Sequence, residues 1–556
     1  MLHGVAAAVT VLVLAPLARP GYVLSYDMVF VPRQALDWEL IAPAQALPRA
    51  VPQDAVVALA TQVAPGWLVQ RLVLAVIIYA AAVGAGRLVP TRRLSVRVVA
   101  AVGYAWTPYL AERLLLGQWG LLLAYAALPW LVSAALGVHA GRPGALPRLL
   151  LAAAAAAITP TGGVIALVVA AALLPGRYVN AARSSAVGLI AIAAFNAPWL
   201  VAALLTAAGG RSDAAGVVAF AARAENWGGS LVALLGTGGI WNSQTTPASR
   251  SSPLVPLVTA ALLVIAAVGA VELWRRWPAG VAARLGLLAV GGLAVAATGV
   301  LPGGADGLAF LVRQVPGAGL VRDGHKFLIP YALVLALGFA LGAERLADRL
   351  TPRLGGVAAR VLVVVLALLP VALLPDLAFG GAGRLRPVSY PADWDAVARH
   401  VADRPGEVLS LPFHEYQSYR WNADRVVIDP APRYLPAPVL TDDTLRVGDL
   451  VVAGENPRAA RVRELLAAGS SVAGTGVRWV LVRHEPNLPV TPQTLAGLQR
   501  VHSGEHLSLY ENPGWSPDRR QGPLWPVAAA HLLAAAAVVA AVVAAASRVL
   551  HRTPDP

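Results

Sequence analysis

LLLAAAAAAITPTGGVIALVVAAALLP, residues 149–175, decides how this chain is threaded. A bilayer core takes about 20 apolar residues to cross, so the stretch is long enough for one span. Pro160, Gly162 and Gly163 interrupt it. Proline removes a helix donor and clashes with the preceding turn, and glycine weakens what is left. Arg142 and Arg148 precede the stretch, and Arg177 and Arg183 follow it. Short cytoplasmic loops collect arginine, so both flanks read as lying on one side. A re-entrant pair of short helices satisfies that condition, and one kinked span is the alternative. A helix broken at membrane depth is tolerated only where protein or a cavity shields the freed backbone.

Working outward, apolar blocks recur near Val5–Leu17, Leu68–Val89, Val98–Leu114, Trp119–Val138, Val187–Leu205, Leu254–Leu273, Leu285–Leu301, Phe327–Ala343, Ala358–Leu374 and Val527–Ala546. The chain reads as a polytopic α-helical membrane protein with about ten full spans plus the short-helix hairpin. Composition agrees: of 556 residues, 57% are hydrophobic and 13% charged, against about 25% charged in soluble domains. The first block resembles a signal-peptide core, but no Lys or Arg precedes it and no small-residue cleavage site follows, so an uncleaved helix is expected.

The net charge of +14 sits in loops. Arg87, Arg92, Arg93 and Arg97 form one group; Arg275, Arg276 and Arg284, then Arg345, Arg349 and Arg353, then Arg548 and Arg552 form others. This distribution predicts cytoplasmic termini and a plasma-membrane, multi-pass protein. Three regions follow: residues 1–377 as the membrane domain with a large first outer loop at 19–65, residues 378–524 as an extracytoplasmic domain, and residues 525–556 as a last span and tail. The outer domain carries 16 basic and 16 acidic side chains, which gives nucleic acid no basic footprint. EVLSLPF and VRWVLVRHE read as buried strands, LQRVHSGEHLSLYENPG as two strands around a turn, and PADWDAVARHVADR and PRAARVRELLAAG as helices. A small α/β domain is expected.

Four polar groups fall on the outer side of this map. SYDMVFVPRQAL, residues 25–36, places Asp27 soon after the first span. It is either an acid ending a helix in water or a functional charge at membrane depth, with equal weight. PYLAERLLLGQWG, residues 108–120, holds Glu112, Arg113, Gln118 and Trp119 on a short connection. An ion pair with a tryptophan anchor is the plain reading. However, adjacent Glu and Arg cannot share one helix face, so one should point into the bundle. AARAENWGG brings Glu225 and Asn226 beside Trp227, a weak signal for sugar stacking. GLVRDGHKFLIPY, residues 319–331, carries Arg322, Asp323, His325 and Lys326, the only lysine of the chain. On a helix Arg322 and Lys326 share a face at i, i+4, and such a pair suits phosphate, the arginine as a fork and the lysine as a point charge. Snorkelling side chains are the plain alternative.

No nucleotide loop, zinc-protease motif or nucleophile elbow is present. Cysteine is absent, which excludes thiolate chemistry.

With its many spans, a large first outer loop carrying an acid, interrupted helices and a C-terminal outer domain, the chain resembles the GT-C class of integral-membrane glycosyltransferases. The ERLLLGQW and RDGHKF segments and the outer domain opening SYPADW are similar to envelope arabinofuranosyltransferases and YfhO-like membrane proteins. The resemblance implies a sugar moved from a polyprenyl-phosphate donor to an envelope glycan or lipid acceptor on the outer face. By position it implies Asp27 as general base, with Glu112 as a second acid or as the group orienting Arg113. It implies Arg113, Arg322, His325 and Lys326 at the lipid phosphate, and Gln118, Trp119, Glu225 and Asn226 toward the acceptor. Members often pair the acid with a second one that serves a divalent metal; here Asp27 lies between Tyr26 and Met28. Two other classes stay open: a lipid or polysaccharide flippase using the same cations, and a non-catalytic assembly protein with a degenerate site.

Overall fold

A computed structural model describes residues 1–175, 179–484, 488–516 and 523–550; Arg177 and Arg552 of the loop arginines lie outside them. Eight helices among the described residues are long and apolar enough to cross a membrane: Gly66–Leu88, Trp119–His139, Ala182–Leu205, Val255–Arg276, Gly280–Val300, Gly324–Arg353, Gly355–Leu373 and Trp525–Ser547. Each matches one of the ten expected blocks. The first block is a shorter helix, Leu2–Leu14, prolonged by a 3-10 turn at Ala15–Ala18.

The block at Val98–Leu114 is not one span. A helix covers Leu94–Ala105, the chain leaves helical geometry at Trp106 (φ −126°, ψ 70°), and a second helix covers Pro108–Leu115. The Thr107 side chain caps the second by accepting from the Leu110 amide at 3.2 Å. Pro108 drives the break, because the residue before a proline avoids the α region. Residues 149–175 break in the same way. Helices Ala145–Ala156 and Pro160–Leu173 meet at Thr159, whose hydroxyl accepts from the Gly162 amide at 3.3 Å. A Cβ at Gly162 would stand 2.1 Å from the Ala156 carbonyl oxygen, so only glycine closes this turn. The short-helix pair, and not one kinked span, is what forms. Asn196 shields it, donating to the Gly163 carbonyl at 3.3 Å and the Ile192 carbonyl at 2.9 Å.

The region before the last helix has nine short strands among the described residues: β1 (Val408–Leu411), β2 (Tyr416–Ser418), β3 (Val426–Ile428), β4 (Val439–Leu440), β5 (Leu445–Val447), β6 (Leu450–Val452), β7 (Trp479–Arg483), β8 (Gln499–Ser503) and β9 (Leu507–Glu511). Five form a sheet in the order β4-β1-β7-β9-β8. β1 runs parallel to β4 and β7, and β9 is antiparallel to β7 and β8. Every residue of β1 and β7 is buried, which explains their unbroken apolar runs. The expected helices are Ala392–Asp403 and Pro457–Ala467.

The loop after the first helix and this sheet domain are stitched together. Tyr22 exchanges backbone hydrogen bonds with Val388 at 2.7 and 2.9 Å. The Tyr26 amide donates to Val426 at 2.7 Å, and the Ile428 amide donates to Tyr26 at 2.9 Å. Tyr26 thereby extends the β2–β3 ribbon. One buried apolar cluster runs from the membrane helices to Trp394, Val427 and Trp479 of the sheet domain.

Candidate active site

Asp27 sits where the first loop, the Pro108–Leu115 helix and the β2–β3 ribbon meet. Its amide donates to the Leu116 carbonyl at 3.0 Å. Gly117, next along the chain, has φ +81°, and a Cβ there would meet the Met28 amide nitrogen at 2.3 Å, so glycine lets the two loops touch. The Asp27 carboxylate accepts from Gln118 Nε2 at 2.9 Å on Oδ2 and from the Tyr416 hydroxyl at 2.6 Å on Oδ1.

Gln118 connects this acid to a deeper cation. Its Oε1 accepts from Arg113 Nη1 at 2.6 Å. Arginine has only donors, so the amide oxygen must face Arg113 and the NH2 must face Asp27. Arg113 then grips Asp323 with two bonds, at 2.9 and 3.0 Å, and donates to His325 Nδ1 at 2.9 Å. Asp323 in turn lies 3.7 Å from Lys326 Nζ. A continuous polar chain thus runs Tyr416–Asp27–Gln118–Arg113–Asp323–Lys326. Lys326 is also within electrostatic reach of Asp27.

Exposure divides the cations. Arg113 is 0% exposed and His325 1%, so neither presents a free face to a lipid phosphate. Arg113 is the hub of the polar chain, and His325 stacks on Tyr109 at 5.3 Å. The Lys326 side chain is 27% exposed and Asp27 is half-buried; these two reach the surface of the seam. Arg322 does not share a helix face with Lys326. Two 3-10 turns, Ala318–Val321 and Gly324–Leu328, are separated by Asp323 at φ −93°, ψ 76°. Arg322 turns instead to Glu455, 3.1 Å away, and over the Phe220 ring.

Glu112 and Arg113 diverge, as two neighbours on a helix must. Glu112, 0% exposed, accepts from the Ile240 amide at 3.2 Å and stands 3.5 Å from His325 Nε2. Its link to Arg113 runs through His325, whose Nδ1 meets Arg113 at 2.9 Å, while the side-chain bonds to Asp27 come from Gln118 and Tyr416. Glu225 belongs to the same buried group, paired with Arg250 at 2.7 Å. Asn226 ties its own loop, donating to the Arg250 carbonyl at 3.0 Å. Trp119 is buried against Phe30, ring centroids 5.3 Å apart. Of the residues expected toward the acceptor, Gln118 is the one that bonds Asp27.

No group of three or more His, Asp or Glu suited to a divalent metal occurs among the described residues, and the Asp27 oxygens each accept one hydrogen bond from a neutral donor.

Glu415 is the titratable neighbour that sequence reasoning missed. Burial pushes its carboxyl up to about 7; Arg49 opposes this, and Asp27, Asp443 and Asp442 add to it. The folded protein therefore holds this proton more tightly than the unfolded chain, whose ordinary value is 4.5. Stability contributed here is present at low pH and is lost as pH rises from about 4.5 to about 7. The difference in melting temperature between wild type and Glu415→Gln should change across that window and level off above it. A difference that stays constant from about pH 4.5 to about pH 8 counts against this environment for Glu415.

No family model and no curated protein matches the chain. Solved structures do. The cryo-EM structure of arabinofuranosyltransferase AftD from Mycobacteria superposes with TM-score 0.58 at 18% identity, over 93% of this chain and 40% of that one. A mutant form of the same protein gives TM-score 0.53 at 18% identity, over 94% and 42%. The chain thus spans about two fifths of the length of the structures it matches. It is a multi-pass membrane protein that shares the GT-C fold of that arabinofuranosyltransferase.

Proposed function

We propose that this protein is a membrane glycosyltransferase that moves a sugar from a polyprenyl-phosphate donor to an envelope glycan acceptor at the extracytoplasmic face of the plasma membrane. Both termini are then cytoplasmic and the outer domain holds the acceptor. The observation that carries this reading is the accessible Asp27 carboxylate within electrostatic reach of the half-open Lys326 ammonium, on a fold shared with a glycosyltransferase.

The chemistry is a displacement at the anomeric carbon. The acceptor hydroxyl oxygen forms a bond to that carbon while its proton passes to Asp27. The bond from the anomeric carbon to the phosphate oxygen breaks, and its electron pair leaves with the lipid phosphate. Lys326 faces the charge that develops there. Arg113, through Asp323 on one side and Gln118 on the other, holds both groups in register.

The test is transfer from a polyprenyl-phosphate sugar by the purified protein in lipid nanodiscs, read as glycan product and released polyprenyl phosphate. Lys326→Met should lower kcat/KM about tenfold to a hundredfold, the loss of one hydrogen bond to a charged group. Release of polyprenyl phosphate at the rate of a protein-free control overturns the reading.

A further inference from the structure

We infer that the outer domain completes the active site: the Tyr416 hydroxyl is a positioning group that fixes the Asp27 carboxylate for proton transfer. The inference rests on Asp27 being the base.

Three observations carry it. First, Asp27 is held at both ends. Tyr416 bonds Oδ1 at 2.6 Å and Gln118 bonds Oδ2 at 2.9 Å, so the carboxylate cannot rotate without losing one of them. Each carboxylate oxygen accepts about two hydrogen bonds, so one lone pair on each stays open to an acceptor hydroxyl. Second, the backbone beside it is under tension. Tyr26 is a non-glycine residue at φ 45°, a conformation that costs free energy and persists only where surrounding contacts over-determine it. Those contacts come from the same ribbon that carries Tyr416: Val426 and Ile428 bond both sides of Tyr26. Third, Tyr416 stays a donor, because burial and the Asp27 charge push its phenol well above the ordinary range. A hydroxyl that keeps its proton holds the carboxylate through a fixed hydrogen bond.

The remaining charges around Asp27 arrive from three directions. Lys326 comes from the Gly324–Leu328 turn, Arg113 with Asp323 stands behind Gln118, and Glu415 sits beside Tyr416 with Arg49 facing it. The effect of Tyr416 must therefore be read with Glu415 silenced.

The experiment compares Tyr416→Phe with its parent in full-length protein carrying Glu415→Gln. In Tyr416→Phe, kcat should fall about tenfold, the worth of one hydrogen bond to a charged group. KM for the lipid donor should stay at the parent's value, and the melting temperature should fall by no more than a few degrees. Ser418→Ala, on the same ribbon but bonded to Asp424, should change none of these. A second readout needs no turnover: the infrared carboxylate band that Asp27→Asn removes should move in frequency in Tyr416→Phe, because one of its two hydrogen-bond donors is gone. An unmoved band and an unchanged kcat overturn the inference. If the parent transfers no sugar, the proposed function falls, and the position of the band still decides the role of Tyr416.

Discussion

Asp27→Asn should cut sugar transfer by about a thousandfold, within the range a positioned general base contributes. The substitution keeps the shape of the side chain, so the ribbon and the first loop should remain docked through their backbone bonds at Tyr22 and Tyr26. It removes the group that receives the acceptor proton. It also sets an Asn amide against Gln118, whose NH2 points at Asp27 because its oxygen is committed to Arg113. The new amide can accept from Gln118 on its oxygen and donate its NH2 to the Tyr416 oxygen, because a phenol hydroxyl both donates and accepts. The loss therefore falls on kcat. KM for the donor should move by no more than a few fold, because Lys326 and the membrane helices are untouched. Single-turnover rates with saturating donor separate the two constants. A variant that keeps a tenth or more of the wild-type rate removes Asp27 from the role of base.

Much of the architecture was legible because it follows from one-dimensional patterns. Apolar length marks the eight long helices, and Thr159–Pro160 with Gly162 marks the broken pair. The buried runs of β1 and β7 and the β8–β9 hairpin were readable from composition and turn residues. The Thr107–Pro108 break carried the same signal as Thr159–Pro160, but the apolar run around it hid the boundary. The site was readable only in part. Adjacent Glu112 and Arg113 had to diverge, and they do. That Arg113 grips Asp323, across 210 positions, is a tertiary fact with no local pattern. Helical spacing suggested a shared face for Arg322 and Lys326, and the backbone at Asp323 cancels it. Tyr416 lies 389 positions from Asp27 in a ribbon of three-residue strands, too short for any period to register.

Arg113→Met should be the most destabilising change in the site. Arg113 is fully enclosed, and its two terminal nitrogens are spent on Asp323, Gln118 and His325. Removing it leaves Asp323, 6% exposed, with Lys326 at 3.7 Å as its nearest cation. Breaking one partner from a buried ion pair costs about 3–5 kcal/mol, most of it the stranded charge. The melting temperature in nanodiscs should drop by several degrees, and much of the protein should be lost on expression. The double variant Arg113→Met with Asp323→Asn removes both members of the buried pair and should recover most of that stability. It should not recover activity. Gln118 then lacks the cation that orients its amide, and Lys326 lacks the carboxylate that holds it, so the base and the phosphate clamp lose their register together. Stability restored without transfer separates the structural share of this network from its catalytic share. Transfer restored along with stability shows that Asp27 and Lys326 find their places without the Arg113–Asp323 pair, and that the pair serves the fold alone.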